Sequence, residues 1–186
     1  MDLANKYRPQ KLEDIVGQEN VVKILSSELK HNKLRQQYLF VGNTGSGKTT
    51  TARILAKAVN GQVFEIDAAS HSSVEDIRAL IETITIRPMG VDHTVVILDE
   101  VHGLSNKAIQ TLLLTLEKPP KHVIFILCTT EADKVPDTIK NRCECFIFLR
   151  LSYYLIADRL EYICKKEQIE YAKPALKEIA KIANGS

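Results

Sequence analysis

Eight consecutive residues carry the most specific chemical pattern in this sequence. The run Gly42-Asn43-Thr44-Gly45-Ser46-Gly47-Lys48-Thr49 matches the pattern GxxxxGK[ST] in full. Glycines let the backbone wrap closely around a polyphosphate, while the lysine can reach the β- and γ-phosphate oxygens and the threonine hydroxyl can hold Mg²⁺. The run predicts a loop that binds a nucleoside triphosphate, and we include the next residue, Thr50, in the same site.

The residues on either side of this loop decide between a binding site and a plain glycine turn. The apolar run Tyr38-Leu39-Phe40-Val41 is typical of a buried strand, and residues 50–60 repeat their apolar side chains at helical spacing. A phosphate-binding loop lies between a strand and a helix. The context therefore favours nucleotide binding over a structural turn.

Two carboxylates follow a second apolar run. Residues 95–98 are apolar, and Asp99 and Glu100 come directly after them. In open α/β sheets this edge binds ligands, so Asp99 would hold Mg²⁺, directly or through water, and Glu100 would orient or deprotonate an attacking water. The alternatives are acidic residues that decorate a helix N-terminus, and a small-molecule kinase, which has less need of Glu100. Together with the loop, the pair predicts an ATPase.

Further polar residues lie at strand ends. The apolar run 123–128 is followed by Thr129 and Thr130, whose hydroxyls could contact the γ-phosphate or the attacking water. Threonines that cap a strand are also common without any function. Arg142 precedes the last apolar run and could stabilise a transferring phosphoryl group in its own or a neighbouring subunit, although isolated arginines are usually solvated or paired.

Alternating strand and helix patterns predict an α/β fold with a parallel sheet. Strands are expected at 37–41, 62–66, 94–98, 123–128 and 145–149, and helices at about 18–30, 48–59, 72–85 and 105–117. After Arg150 two amphipathic helices, about 152–167 and 173–183, follow without another strand. We expect a nucleotide-binding domain over 1–150 and the start of a small helical domain over 151–186.

Composition narrows the class of protein. The chain has 186 residues, of which 45% are hydrophobic and 26% charged, with a formal net charge of +2. It has no secretory pattern and no apolar stretch of the roughly 20 residues that a spanning helix needs. We expect a cytoplasmic globular protein with no membrane partner, and the small net charge does not by itself indicate nucleic-acid binding.

The four cysteines do not have the spacing of a metal site. Cys143 and Cys145 are two apart at the start of an apolar run, whereas zinc-binding pairs usually have two to four intervening residues. With Cys128 and Cys164, we expect reduced, mostly buried thiols and no zinc.

Seven segments together carry a resemblance to a known family. They are KYRPQKLEDIVGQE at 6–19, the loop at 42–49, EIDAAS at 65–70, VEDIRALIE at 74–82, ILDEVHGLS at 97–105, LLLTLEKPPKHVIFILCTT at 112–130 and NRC at 141–143. With them the chain resembles the clamp-loader ATPases of the bacterial DNA polymerase III gamma/tau type. EIDAAS and TLEKPP look closer to that type than to the small subunits of eukaryotic and archaeal loaders.

The resemblance implies an AAA+ P-loop NTPase fold, in which a five-stranded parallel sheet flanked by helices is followed by a helical lid. ATP and Mg²⁺ would be bound at subunit boundaries. Lys48 and Thr49 would then bind the triphosphate and Mg²⁺, Asp99 and Glu100 would serve the metal and the water, and Thr130, rather than Thr129, would be the polar sensor.

Other residues acquire roles through the same resemblance. Arg142 would be a finger inserted into a neighbouring subunit's site, so hydrolysis would require assembly. Tyr7, Arg8, Pro9 and Val16 match the N-terminal segment that covers the adenine in such loaders. The implied partners are other clamp-loader subunits, a sliding clamp and primer-template DNA.

The sequence departs from the family in three places. The family's four-cysteine zinc module is replaced by the direct connection Asn60-Gly61-Gln62, and positions that are basic in the family are His71-Ser72-Ser73. The second change removes positive charge where DNA phosphates would be tracked. The final segment, ALKEIAKIANGS, resembles the lid helix that leads to a second sensor arginine, and we expect an incomplete lid that binds nucleotide more readily than it hydrolyses it.

The expected function is that of an ATPase motor subunit of a clamp loader in DNA replication, from a phage or a divergent bacterium. Its ATP state would set its grip on a ring-shaped clamp and primed DNA, and hydrolysis would release both. Two alternatives stay open: an AAA+ DNA-remodelling or branch-migration motor, and a structural clamp-loader subunit that does not hydrolyse ATP. Scattered lysines, usually only a solvated surface, remain available for DNA: Lys6, Lys11, Lys23 and Lys107.

Overall fold

Five parallel strands form the centre of the molecule. The computed structural model describes residues 3–185, and its sheet has the strand order β2-β3-β4-β1-β5. The strands are β1 (Gln37–Gly42), β2 (Gly61–Asp67), β3 (His93–Asp99), β4 (Val123–Thr129) and β5 (Glu144–Phe148). Because all neighbouring strands run parallel, their carboxyl ends share one edge of the sheet.

Helices cover both faces of the sheet and extend beyond β5. They are α1 (Leu3–Lys6), α2 (Glu19–Lys30), α3 (Lys48–Ala58), α4 (Val74–Thr85), α5 (Asn106–Glu117), α6 (Asp137–Lys140), α7 (Tyr153–Glu167) and α8 (Lys173–Ile182). Three single 3₁₀ turns, Leu12–Asp14, Val101–Gly103 and Ala132–Lys134, connect the larger elements.

Alternating side chains of the strands supply two separate cores. On one face Val96, Leu98 and Phe125 pack with α4 and α5, and on the other Phe40 and Ile97 pack with α2 and α3. The central strands β3 and β4 are apolar on both faces because helices cover both. The two cores thus fix the sheet between layers of helices.

Several helices begin at a serine that satisfies free N–H groups. The Ser73 hydroxyl accepts a hydrogen bond from the Asp76 N–H, and the Asp76 carboxylate accepts one from the Ser73 N–H in return. Ser105 and Ser152 begin α5 and α7 by accepting from the residue three positions later. Such caps typically stabilise a helix by about 1 kcal/mol.

The last two helices, α7 and α8, pack on each other around a small core of their own. Ile156, Ala157 and Ala180 are buried between them, with Leu151 and Leu160 packed alongside. This pair lies outside the sheet layers, and residues of α7 line a cavity together with the residues that follow β1.

The predicted strands and long helices are confirmed, with ends that differ by at most two residues. The predicted helix at 72–85 begins at Val74, and the one at 173–183 ends at Ile182. The short elements α1 and α6 and the 3₁₀ turns were not predicted, because three or four residues show no periodicity. Among residues 3–185, no helix is both long and apolar enough to cross a membrane.

The prediction of mostly buried thiols is wrong in part. All four cysteines are free, but only Cys128 is buried, Cys143 and Cys164 are half-buried, and Cys145 is exposed on the edge strand β5. Burial raises the pKa of the Cys128 thiol, and it raises the pKa of the Cys143 thiol to about 12. No group of three or more possible metal ligands occurs in residues 3–185.

The packing of α5 gives a matched test of the core. Leu112 is fully buried, whereas Leu114 on the same helix is 72% exposed. We expect Leu112→Ala to lower the free energy of unfolding by about 2–5 kcal/mol, because it leaves a cavity. Leu114→Ala should change it by less than about 0.5 kcal/mol. Urea denaturation of both variants measures the difference, and equal losses would contradict the described packing.

Candidate functional site

The glycine-rich loop adopts backbone conformations that only glycine tolerates well. Gly45 has φ 78° and Gly47 has φ 101°, both in the left-handed region. Gly42, at the end of β1, approaches β5 so closely that an added Cβ would lie 2.5 Å from the Phe148 carbonyl oxygen. The backbone thus explains the three glycines of the loop, and Lys48 follows as the first residue of α3.

Lys48 is almost completely buried beneath the loop. Its Nζ donates to the Gly42 carbonyl oxygen at 2.7 Å and to the Asn43 carbonyl oxygen at 3.1 Å. The start of α3 adds the partial positive charge of a helix N-terminus at the same place. The loop therefore combines an ammonium group with free backbone N–H groups, which is the chemistry that binds phosphate.

A hydroxyl and a carboxylate meet beside the loop. The Thr49 Oγ1 donates to Asp99 Oδ2 at 2.7 Å, although the two residues lie on α3 and at the end of β3. Neighbouring ligands of an octahedral Mg²⁺ ion, each about 2.1 Å from the metal, lie about 3 Å apart. The two oxygens thus fit the positions of adjacent magnesium ligands.

Glu100 occupies an unusual backbone conformation next to Asp99. Its φ of 48° and ψ of 48° are left-handed, which is uncommon for a residue other than glycine and often marks a functional site. The Glu100 Oε2 accepts hydrogen bonds from the Thr130 N–H at 3.0 Å and from the Thr130 Oγ1 at 2.9 Å. The structure therefore brings Thr130, the residue preferred over Thr129, to the carboxylate.

Thr129 and a histidine that no sequence pattern singles out complete this cluster. The fully buried Thr129 Oγ1 lies 2.9 Å from His102 Nδ1. The same nitrogen lies 3.2 Å from Glu100 Oε2, and His102 Nε2 lies 3.1 Å from Glu131 Oε1. In the sequence, the one sign that His102 lies in this cluster is its position two residues after Glu100.

A largely apolar cavity of about 370 Å³ adjoins the loop. The N-terminal segment contributes Pro9, Ile15 and Val16, and α7 contributes Leu155 and its neighbours. From the loop and α3, the cavity is lined by Gly45, Ser46, Gly47 and Thr50. An apolar cavity of this size beside a phosphate-binding loop can hold a purine ring.

Two of the four N-terminal residues expected at the base lie elsewhere. Pro9 and Val16 line the cavity, but Tyr7 and Arg8 do not, and the Arg8 side chain is exposed. Asn43 and Thr44 are also exposed, at the outer side of the loop. The α7 residues of the cavity, including Arg159, were missed because helical periodicity does not show which element a face will contact.

Tyr7 instead fastens the N-terminal segment to α7. Its hydroxyl donates to the Glu167 carboxylate, and its carbonyl oxygen accepts from Arg159 Nη2 at 3.0 Å. Lys6 Nζ lies 2.6 Å from Glu167 Oε1, and the Tyr7 and Tyr162 rings meet edge to face. The hydrogen bond to Glu167 raises the pKa of Tyr7 to about 12, and Lys6 lowers the pKa of Glu167.

Gln18, which no sequence pattern singles out, joins three segments around the site. This buried side chain donates to the Ser46 carbonyl oxygen at 3.2 Å and to the Leu149 carbonyl oxygen at 2.7 Å. Its Oε1 accepts from the Leu149 N–H at 2.9 Å. Gln18 therefore ties the N-terminal segment and the loop to the chain that leads into α7.

Arg142 lies at the opposite edge of the sheet from the loop. It precedes β5, and its guanidinium donates to Glu117 Oε1 at 2.6 Å and to the Thr138 carbonyl oxygen at 2.7 Å. The five residues of β5 separate the two edges by about 17 Å, at roughly 3.3 Å per residue. Arg142 is not brought to the loop of its own chain.

The burial of Lys48 predicts a specific effect on nucleotide binding. Lys48→Ala should weaken binding of an ATP analogue about 10- to 100-fold, because hydrogen bonds from a charged group are worth about 1.5–3 kcal/mol. Lys57→Ala, which changes an exposed lysine of the same helix, is the control and should leave the dissociation constant unchanged. Fluorescence anisotropy measures both, and similar affinities for both variants would argue against this site.

Sequence comparison finds relatives over nearly the whole chain. The DNA polymerase III subunit tau of Bacillus subtilis is 41% identical, covering 98% of this chain and 37% of that protein. The gamma/tau subunit of Mycoplasma genitalium is 40% identical (97% and 34%), and the tau subunit of Escherichia coli is 38% identical (99% and 32%). The chain spans about a third of the length of these relatives.

Solved structures share the fold. The Thermotoga maritima RuvB Holliday junction branch migration motor matches with a TM-score of 0.76 at 23% identity, covering 94% of this chain and 59% of that one. A single-residue variant of the same RuvB protein matches with a TM-score of 0.78 at 22% identity, covering 94% and 59%. At these identities the likeness shows the fold alone.

A family profile covers the residues described above. The profile described as "ATPase family associated with various cellular activities (AAA)" matches residues 38–151. This range begins in β1 and includes the phosphate-binding loop, Asp99, Glu100, Thr130 and Arg142. With a complete phosphate-binding loop and a carboxylate pair beside it, the chain is a P-loop ATPase, and it belongs to the AAA family.

Proposed function

We propose that this chain is the ATPase motor of a clamp loader, which uses ATP to place a sliding clamp on primed DNA during replication. The observation that carries the proposal is the 38–41% identity to DNA polymerase III gamma and tau subunits over 97–99% of the chain. The site geometry supports it, because a motor needs both a nucleotide pocket and a group that senses the γ-phosphate.

The triphosphate contacts are assigned to the loop between β1 and α3. Lys48 would leave the carbonyl oxygens of the loop for the β- and γ-phosphate oxygens, and Mg²⁺ would be held by Thr49 and Asp99. The 2.7 Å contact between Thr49 and Asp99 supports this pair as metal ligands. The metal supplies charge neutralisation of the phosphates, while the loop supplies orientation.

Glu100 is assigned to the attacking water and Thr130 to the sensor. A carboxylate at this position can accept a proton from water or orient it in line with the γ-phosphate. In the present arrangement Thr130 donates to Glu100 from both its N–H and its hydroxyl. A γ-phosphate oxygen would compete for the Thr130 hydroxyl, so nucleotide binding would change the contacts of Glu100.

The base would occupy the cavity between the N-terminal segment and α7. Pro9 and Val16 would cover one face of the purine, with Leu155 and Ile156 on the other side. Tyr7 would act indirectly, by holding the segment to Glu167, and Arg8 would contact solvent or a partner. Nucleotide binding would thereby order the sheet domain (1–150) relative to the helices that follow it (151–186).

Arg142 is assigned to the site of a neighbouring subunit. Its place at the amino edge of the sheet, away from its own loop, supports a role in trans. A cation supplied from the next subunit stabilises the charge that develops during phosphoryl transfer. Hydrolysis would then depend on assembly, while ATP binding would not.

Removal of Arg142 should separate ATP binding from ATP hydrolysis. We expect Arg142→Ala in the full-length assembly to lower kcat at least about 10³-fold, the lower end of the effect of such an arginine, with ATP affinity nearly unchanged. Steady-state hydrolysis and equilibrium binding measure the two quantities. A parallel loss of binding and turnover would defeat the assignment.

Mixed assemblies provide a sharper version of the same test. Subunits with Arg142→Ala retain Glu100, and subunits with Glu100→Gln retain Arg142, so some mixed interfaces regain a complete site. Turnover should therefore reappear when two inactive preparations are mixed. If Arg142 acted within its own chain, mixing would restore nothing.

Hydrolysis by the full-length protein decides between a loader and a remodelling motor. We expect turnover to rise when both primed DNA and the sliding clamp of the same organism are added, because partners that bind the hydrolysing state more tightly shift the population toward it. Stimulation by DNA alone would favour the branch-migration alternative, whose fold the chain shares. Absence of turnover in every mixture would favour a structural subunit.

A further inference from the structure

His102 is the central residue of a polar chain at the carboxyl edge of the sheet. Its side chain is only 17% exposed, and its ring contacts groups on both sides. Nδ1 lies 2.9 Å from Thr129 Oγ1 and 3.2 Å from Glu100 Oε2, whereas Nε2 lies 3.1 Å from Glu131 Oε1. Glu100, which follows β3, and Thr129 and Glu131, at and just after the end of β4, thus surround one imidazole ring.

We propose that His102 is a positioning residue for ATP hydrolysis, which holds the Glu100 carboxylate in the orientation needed to activate water. The proposal rests on the assignment of Glu100 to the water. His102 itself contacts neither the loop nor the magnesium ligands Thr49 and Asp99 through any hydrogen bond of the described residues. It acts through Glu100.

The contacts of Glu100 show why a second holding group matters. Thr130 and His102 both approach the same carboxylate oxygen of Glu100, Oε2. The other oxygen, Oε1, has no hydrogen bond within the described residues. An anchored Oε2 leaves Oε1 as the oxygen that can accept a proton from water. Without His102, the Glu100 carboxylate would keep only its hydrogen bonds from Thr130. A γ-phosphate oxygen would compete for the Thr130 hydroxyl, and the carboxylate could then rotate.

The ring of His102 is itself fixed at both ends. The buried Thr129 hydroxyl oxygen accepts a hydrogen bond from the Glu131 N–H at 3.0 Å, which restrains its position beside the ring. Glu131 lies 2.7 Å from Lys134 Nζ, and this contact lowers the pKa of Glu131 and keeps it anionic. The ring is therefore held between a buried hydroxyl and a carboxylate.

Two conservative substitutions distinguish the two ring nitrogens. The side-chain amide of Asn reaches the place of Nδ1, and that of Gln reaches the place of Nε2. His102→Asn should retain turnover within about threefold of the unchanged protein, because its amide keeps a polar group at the place of Nδ1, beside Glu100 Oε2 and Thr129 Oγ1. His102→Gln and His102→Ala should lower kcat up to about 100-fold with KM for ATP unchanged, since misplacement of a reacting group costs rate and not binding.

Hydrolysis is measured in the full-length assembly without clamp or DNA, so the result does not depend on the clamp-loading proposal. Binding of an ATP analogue and the thermal midpoint confirm that each variant is folded. Equal turnover of the Asn and Gln variants, or a raised KM with unchanged kcat, would overturn the inference. Normal turnover of Glu100→Gln would overturn the assignment of Glu100 and this inference with it.

A second position keeps the test valid if the ring cannot be replaced without unfolding. Glu131 is partly exposed, so Glu131→Ala should leave the fold intact. It should lower kcat by no more than about threefold when His102 is present, because the ring keeps its Nδ1 contacts. It should have no further effect in the His102→Asn background, because the amide at the place of Nδ1 does not reach Glu131. The same loss in both backgrounds would contradict the proposed chain of contacts.

Discussion

The parallel hydrogen-bonded ladder of β3, β4 and β1 is the constraint on which the site depends. Its register pairs Leu98 with Leu127 and Val41 with Thr129, so the residues that follow these strands emerge side by side. Polar groups from segments far apart in sequence thereby come within hydrogen-bond distance, because the strands that carry them are neighbours in the sheet. The two apolar cores hold the ladder between helices, so the energy that positions the site is mainly that of apolar burial.

The residues of the site that are neighbours in the sequence could be predicted from it. The glycines, Lys48 and Thr49 form one continuous pattern, and Asp99 and Glu100 follow a strand with a continuous apolar run. The positions of the strands could be predicted because strands buried on both faces are continuous apolar runs. The positions of the helices could be predicted from apolar residues at helical spacing. These predictions needed no knowledge of which strands are neighbours.

The parts that escaped prediction depend on contacts between distant segments. Gln18 reaches Leu149, 131 positions away, and His102 reaches Thr129, 27 positions away. Neither residue type is informative in isolation, since glutamines and histidines are common on surfaces. The roles of Tyr7 and Arg159 likewise depend on how α7 lies against the N-terminal segment. Strand order and helix docking, which no short pattern encodes, decide such contacts.

The placement of Arg142 and the phosphate-binding loop at opposite edges of one sheet has a consequence for symmetry. If Arg142 acts in a neighbour's site, as proposed, a subunit that offers the arginine from one edge and the nucleotide from the other would join its neighbour head to tail, through two different surfaces. Two-fold dimers, which pair identical surfaces, cannot complete such a site. Repetition of this contact either closes into a ring or leaves an open arc. An arc of n subunits has n − 1 completed sites, with one unused arginine at one end and one uncompleted nucleotide at the other.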